Sequence, residues 1–199
     1  MKPRAGALLL LVAAGFLSAC ATRKGVELPV IDDWEARKAV LSETDEWEFG
    51  GRIAVRAADD GFNGKLWWRQ DGLAFRARVS GPLGVGTIFI NGDRGELTLT
   101  DRDGVVTELS DAEAELRQRY GWTIPVTSLR FWALGIPDPA VPAEVQLDAG
   151  GLLNHLEQRG WAVTIDEYTQ GGGQDMPRRV TAVDDDIRVR LIIDDWTFR

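Results

Sequence analysis

From Trp47 onward, apolar and polar residues alternate with a period of two over much of the chain, the signature of strands with one buried and one wet face. Ile53 and Val55 oppose Arg52, Ala54 and Arg56. Phe62, Gly64, Leu66 and Trp68 oppose Asn63, Lys65, Trp67 and Arg69, and Leu73, Phe75, Ala77 and Val79 oppose Arg76, Arg78 and Ser80. Asp60-Gly61, Asp71-Gly72, Asn91-Gly92 and Asp103-Gly104 fall between such runs and predict hairpin turns, giving an antiparallel meander. Ahead of it, Asp32-Asp33 predicts the cap of a helix through Val40-Leu41, with Trp34, Lys38 and Leu41 at helical spacing.

The alternation then stops. Ser110-Asp111-Ala112-Glu113 is a capping box, predicting a helix to Tyr120 that ends at Gly121. A second helix is predicted over 127–134, closed by Gly135 and Pro137, with Leu129, Trp132 and Ala133 on one face. After a Pro- and Gly-rich stretch that leaves room for a strand near Val145, strands return over 152–157, 161–167, 178–183 and 187–193. The order is one helix, hairpins, two helices, more hairpins. It predicts an α+β domain, mainly β, in which one strongly curved antiparallel sheet has helices over its concave face, an arrangement that offers a cavity to an apolar ligand.

The first residues follow other rules. Lys2 and Arg4 precede an apolar run from Ala5 to Leu17, and Leu17-Ser18-Ala19-Cys20 then sets small residues before the chain's only cysteine. This is the order of a lipoprotein signal: 1–19 is read as the removed peptide, 20–31 as a lipidated tether, and 32–199 as a single domain. Cys20 would carry S-diacylglycerol and an N-acyl chain, together a durable anchor, and no other cofactor is expected. Ala21 in place of aspartate points to the outer membrane, with the domain facing the periplasm. With one cysteine, acylated, no disulfide forms and the fold rests on its core, for which 44% hydrophobic residues and eight tryptophans suffice. The net charge of −8 disfavours nucleic acid and argues against lying flat on anionic lipid.

Little chemistry is on offer. The lone His155 sits on a predicted strand without a nucleophile in view, metal-ligand clusters are missing, and the acidic pairs sit where turns and caps want them. An enzyme is not expected, and no metal is.

The least ordinary segment is Ser80-Gly81-Pro82-Leu83-Gly84-Val85, where a forced bend leaves Leu83 at its tip, either folded back on the core or protruding toward a membrane or partner. Trp68 and Trp132 belong to apolar faces, as ordinary core or as ligand lining.

Several segments together carry a family resemblance: Trp47 with Gly51-Arg52-Ile53, Leu66-Trp67-Trp68-Arg69-Gln70, Gly81-Pro82-Leu83-Gly84 and Gly121-Trp122 with Ile124-Pro125. Ser128-Leu129-Arg130-Phe131-Trp132 through Gly135-Ile136-Pro137, Gln158-Arg159-Gly160-Trp161, Met176-Pro177 and Asp195-Trp196 continue it in order. The chain resembles the LolB family of outer-membrane lipoprotein receptors over nearly all its mature length. The resemblance implies an incomplete antiparallel barrel closed by helices, without catalytic residues, whose cavity takes lipoprotein acyl chains from the periplasmic carrier LolA. It places the family's membrane-inserting leucine on Leu83, flanked by Pro82 and Gly84, and its cavity aromatics on Trp68 and Trp132. With the strand faces above, the expected cavity lining is Ile53, Val55, Leu66, Trp68, Phe75, Val79, Leu129, Trp132 and Ile193. Partners are then LolA, the acyl chains of the cargo and the inner leaflet of the outer membrane, and a monomer suffices. The competing expectation is a non-catalytic lipoprotein scaffold in an outer-membrane assembly complex, which would have a filled core.

Overall fold

The computed structural model describes residues 25–57, 60–81, 86–94, 96–120, 125–185 and 187–199. Cys20 and the Pro82-Leu83-Gly84 segment lie outside them. After helix α1 (Trp34–Ser42) the chain forms β1 (Glu46–Ala57), β2 (Asp60–Asp71), β3 (Ala74–Ser80), β4 (Ile88–Asp93), β5 (Glu96–Asp101) and β6 (Val106–Leu109). Helices α2 (Ala112–Tyr120) and α3 (Val126–Leu134) follow, then β7 (Glu144–Leu147), β8 (Leu153–Gln158), β9 (Trp161–Gly171), β10 (Gln174–Val183) and β11 (Ile187–Phe198).

All eleven strands join one antiparallel sheet in the order β6-β5-β4-β3-β2-β1-β11-β10-β9-β8-β7. The edge strands β6 and β7 do not pair with each other, so the sheet is open and curved rather than closed. Its central seam joins the first strand to the last, from Trp47 opposite Phe198 to Ala57 opposite Ile187. Register shifts at Gly50/Gly51 in that seam and beside Pro177 in β10 are bulges, which bend a strand and raise its twist. Pro177 is tolerated inside a strand because it sits at such a shift, where the ladder is already interrupted.

One face of the sheet is apolar, as the alternation predicts: Trp47, Phe49, Val55, Leu66, Trp68, Phe75, Ala77, Val189 and Leu191 are buried. Trp68 stacks on Phe75 with ring centroids 4.2 Å apart and lies 6.3 Å from Phe49, so strands β1 to β3 are laced by aromatic contacts.

Some local expectations shift. Asp33 does cap α1, its Oδ1 accepting the Ala36 N–H at 2.8 Å, but the buried face of that helix carries Arg37 and Leu41, not Lys38. Arg37 Nη2 donates to Asp175 O at 2.7 Å, and burial lowers the guanidinium's pKa. The α2 cap is Asp111, whose Oδ1 accepts from Ala114 N, and its reciprocal partner is Glu115, leaving Glu113 to pair with Arg159 at 2.7 Å. Asp71-Gly72 and Asp103-Gly104 turn as predicted, Gly72 and Gly104 having positive φ. Asp60-Gly61 instead opens β2, and Asn91-Gly92 lies inside β4. Residues 26–28, expected as part of a tether, instead dock on the sheet, where Val26 N donates to Phe198 O (2.9 Å) and Leu28 N to Gly172 O (2.8 Å).

Candidate functional site

Helix α3 and the apolar face of strands β1 to β5 enclose a pocket of about 350 Å³, in the size range of ligand pockets, roughly 300–1,000 Å³. Every lining residue but Arg130 is apolar. Leu129 and Ala133 approach from α3, one turn apart. Ile53, Leu66, Trp68, Phe75 and Val79 line it from β1, β2 and β3, all inward positions of their strands. Phe62 and Ile88 are among the lining residues yet 46% and 40% exposed, which puts them at its mouth. In sequence, Ile88 stands three residues past the 82–85 segment that holds Leu83.

Of the residues expected to line a cavity, Ile53, Leu66, Trp68, Phe75, Val79 and Leu129 come together here. Val55, Trp132 and Ile193 are buried but are not part of this lining. Ile193 faces Gly51 across the central seam. Trp132 is fully buried behind the helix, its Nε1 donating to Gln158 Oε1 at 2.9 Å and its ring 6.0 Å from Trp161. The pocket also draws on Ile88 and Ile90 of β4 and on Leu97 and Leu99 of β5, none of them named from the sequence. Their alternation is visible, but a turn placed at Asn91-Gly92 divides the strand that carries the first pair.

Polar groups fix α3 in place. Ser128 Oγ donates to Asp138 Oδ2 at 2.7 Å, and Gln158 Nε2 donates to the carbonyls of Asp138 and Val141 at 2.9 and 2.8 Å. Gln158 Oε1 also accepts the Asp138 N–H, so this buried amide is satisfied on both ends. At the other side of the helix, Arg130 Nη1 donates to Gly72 O at 2.8 Å with its guanidinium carbon 4.4 Å from the Phe131 ring centre. Burial lowers the Arg130 pKa, opposed by Asp138 and Asp45. Arg130 also borders a second pocket of about 410 Å³, which shares Phe75, Leu97 and Val126 with the first and has Asp93, Arg94, Glu113 and Arg159 around it.

His155 Nε2 lies 2.9 Å from Glu157 Oε1, an outer-face pair on β8. Among the described residues no group of three His, Cys, Asp or Glu is placed to hold a metal ion, and no helix is long and apolar enough to cross a membrane. What the arrangement offers is apolar volume beneath a fixed helix.

The family description "Outer membrane lipoprotein LolB" matches residues 45–196. The outer-membrane lipoprotein LolB of Pseudomonas paraeruginosa is 34% identical over 163 residues, covering 82% of this chain and 80% of its own. That of Pseudomonas syringae pv. syringae is 35% identical over the same shares. Among solved structures, a LolA superfamily protein from Nitrosomonas europaea superimposes with a TM-score of 0.51 at 10% identity, over 79% of this chain and 87% of its own. A DUF1329 family protein from Desulfovibrio piger gives 0.51 at 6% identity, over 81% and 89%.

Proposed function

This chain belongs to the LolB family of outer-membrane lipoproteins, and from that premise we propose that it receives lipoproteins from the periplasmic carrier LolA and inserts them into the inner leaflet of the outer membrane. The family localises lipoproteins and is not enzymatic. The observation that carries the reading is the apolar pocket beneath α3. Acyl chains would enter it past Phe62 and Ile88, with Trp68 and Phe75 as a flat stacked wall and α3 as the cover.

Each methylene is worth about 0.8 kcal/mol in or out of water, so a chain moving from one apolar pocket to another must stay covered throughout. Mouth-to-mouth docking provides that cover, and transfer then needs no nucleotide, only tighter holding by the receiver. Cys20, acylated, would keep the pocket beside the outer membrane, and Leu83, near the pocket mouth in sequence, would enter the leaflet as cargo leaves. A scaffold would need a filled interior, and the open pocket speaks against it.

The test is to mix acyl-loaded carrier with a Cys20→Ala form and follow the cargo. It should move to this protein, and cargo remaining on the carrier overturns the proposal. Leu83→Glu should leave that acceptance intact and impair insertion into vesicles. Loss of acceptance with normal insertion would remove Leu83 from the membrane step.

A further inference from the structure

The outward face of the central strands is far more basic than the acidic chain as a whole. Eight of the 23 lysines and arginines project from β1, β2, β3 and β11 on this face, in a protein of net charge −8. Several stand directly opposite one another: Arg56 faces Arg188, Arg52 faces Lys65, and Arg69 faces Arg76. Like charges opposed across strands destabilise a sheet, so this clustering is a cost to folding. Among the described residues only Arg52 of the eight has a carboxylate partner, Asp194 at 3.0 Å. The acids of the same face gather toward the other end of β1, where Glu48 is engaged by Arg199 at 3.0 Å.

Aromatic residues accompany the cations. Trp67 of β2, Arg78 of β3 and Phe89 of β4 occupy one cross-strand row, and Phe89 is 45% exposed on this predominantly polar face. Arginine between aromatic rings, one side wet and the other apolar, suits the boundary between water and lipid. Beside this row Arg52, Lys65 and Arg190 surround a depression of about 680 Å³ that also takes in Ser80 and Gly81, which precede Leu83 in the sequence.

The chain outside the described fold argues for which surface meets this face. Gly25 is the first described residue and abuts Thr197, an outward residue of β11, and the docked backbone at Val26 holds it there. From Cys20 to Gly25 the backbone can span at most roughly 18 Å. Glu48 and Thr197 are paired at that exit, and Arg52 and Lys65 lie about 13 Å further along β1. A body tied so closely has its basic face within reach of the membrane that holds its anchor.

We propose that the outward face of β1, β2, β3 and β11, with Lys65, Arg78 and Arg190 beside Trp67 and Phe89, is a seat for the anionic phospholipid surface of the membrane. The inference rests on Cys20 being the acylated residue, as the proposed function has it. It revises the expectation drawn from net charge, because the sheet separates charges that the total averages together.

The full mature chain with Cys20→Ala, which has no acyl chains of its own, tests it by co-sedimentation with vesicles. Binding should be weak to phosphatidylethanolamine alone and strong when part of it is replaced by phosphatidylglycerol, and should fall as salt rises. Lys65→Gln, Arg190→Gln and Arg78→Gln, all at exposed positions, should each weaken partition about fivefold. Inorganic phosphate should displace the protein no better than chloride at equal ionic strength. Equal binding to neutral and anionic vesicles, indifference to the substitutions, selective displacement by phosphate, or binding confined to an acidic protein partner would each overturn the proposal. The same variants should accept acyl cargo from the loaded carrier as the parent does. A parent that binds anionic vesicles but accepts no cargo refutes the proposed function and leaves this seat standing; the reverse result does the opposite.

Discussion

Gly92 illustrates how a single residue shapes the pocket. It faces Phe75 across the β3–β4 pair, and a Cβ there would sit 2.0 Å from Phe75 Cε1. The missing side chain is the space in which the Phe75 ring lies flat against Trp68. Gly92→Ala should therefore destabilise the protein by about 1–3 kcal/mol in chemical denaturation and push the ring out of its stack. The dipeptide Asn91-Gly92 has the composition of a turn, and nothing in the sequence shows that its glycine answers a ring on the neighbouring strand. Tyr168 is another residue whose role only packing reveals. Burial pushes its hydroxyl above the ordinary value of 10.0, and the hydroxyl donates to Leu153 O at 2.7 Å. Because the folded state holds this proton more tightly, its contribution is complete below pH 10 and is lost as the pH climbs beyond it. Tyr168→Phe should lose about 1 kcal/mol at neutral pH, for the hydrogen bond, and show a shallower fall of stability in alkaline urea titrations.

At the scale of elements, α3 owes its position to its surroundings more than to its own sequence. Pro125 provides no side-chain cap, and Gly135 closes the helix in a left-handed conformation, φ 77°. Gln158 holds the indole of Trp132 and the loop after α3 with one amide. Gln158→Leu leaves those groups buried without partners, so a loss of about 1–3 kcal/mol per orphaned group is expected, together with weaker retention of an acyl probe as α3 loosens. Asp33→Ala, by contrast, removes only a surface cap and should cost about 1 kcal/mol without touching probe binding. Helix spans and the hairpins at Asp71-Gly72, Asp103-Gly104 and Arg159-Gly160 were legible because their signals are local. Strand length in β10 and β11 was not, since Pro177 reads as a break where pairing with β9 in fact reaches back to Gln174, and pairing with β1 carries β11 on to Phe198. Five pocket positions, Ile53, Leu66, Trp68, Phe75 and Val79, follow from strand parity, whereas burial alone could not separate Trp132, which packs behind α3, from Leu129, which lines the pocket.

Across the whole molecule, pocket volume and stability are open to separate adjustment. Val79 is half-buried at the pocket wall, so Val79→Trp should fill part of the space, lower acyl-probe binding at least several-fold and change the unfolding midpoint little. The sheet order has a different consequence, and it concerns time. The seam that joins β1 to β11 pairs Trp47 with Phe198, residues from opposite ends of the domain. Such pairings come late, because the loop they close is nearly the entire chain. A chain that still lacks its last dozen residues thus has an incomplete central sheet, and would stay threadable if it were passed through a membrane pore. Chains truncated before Ile187 should be digested readily by protease and the full-length chain should resist.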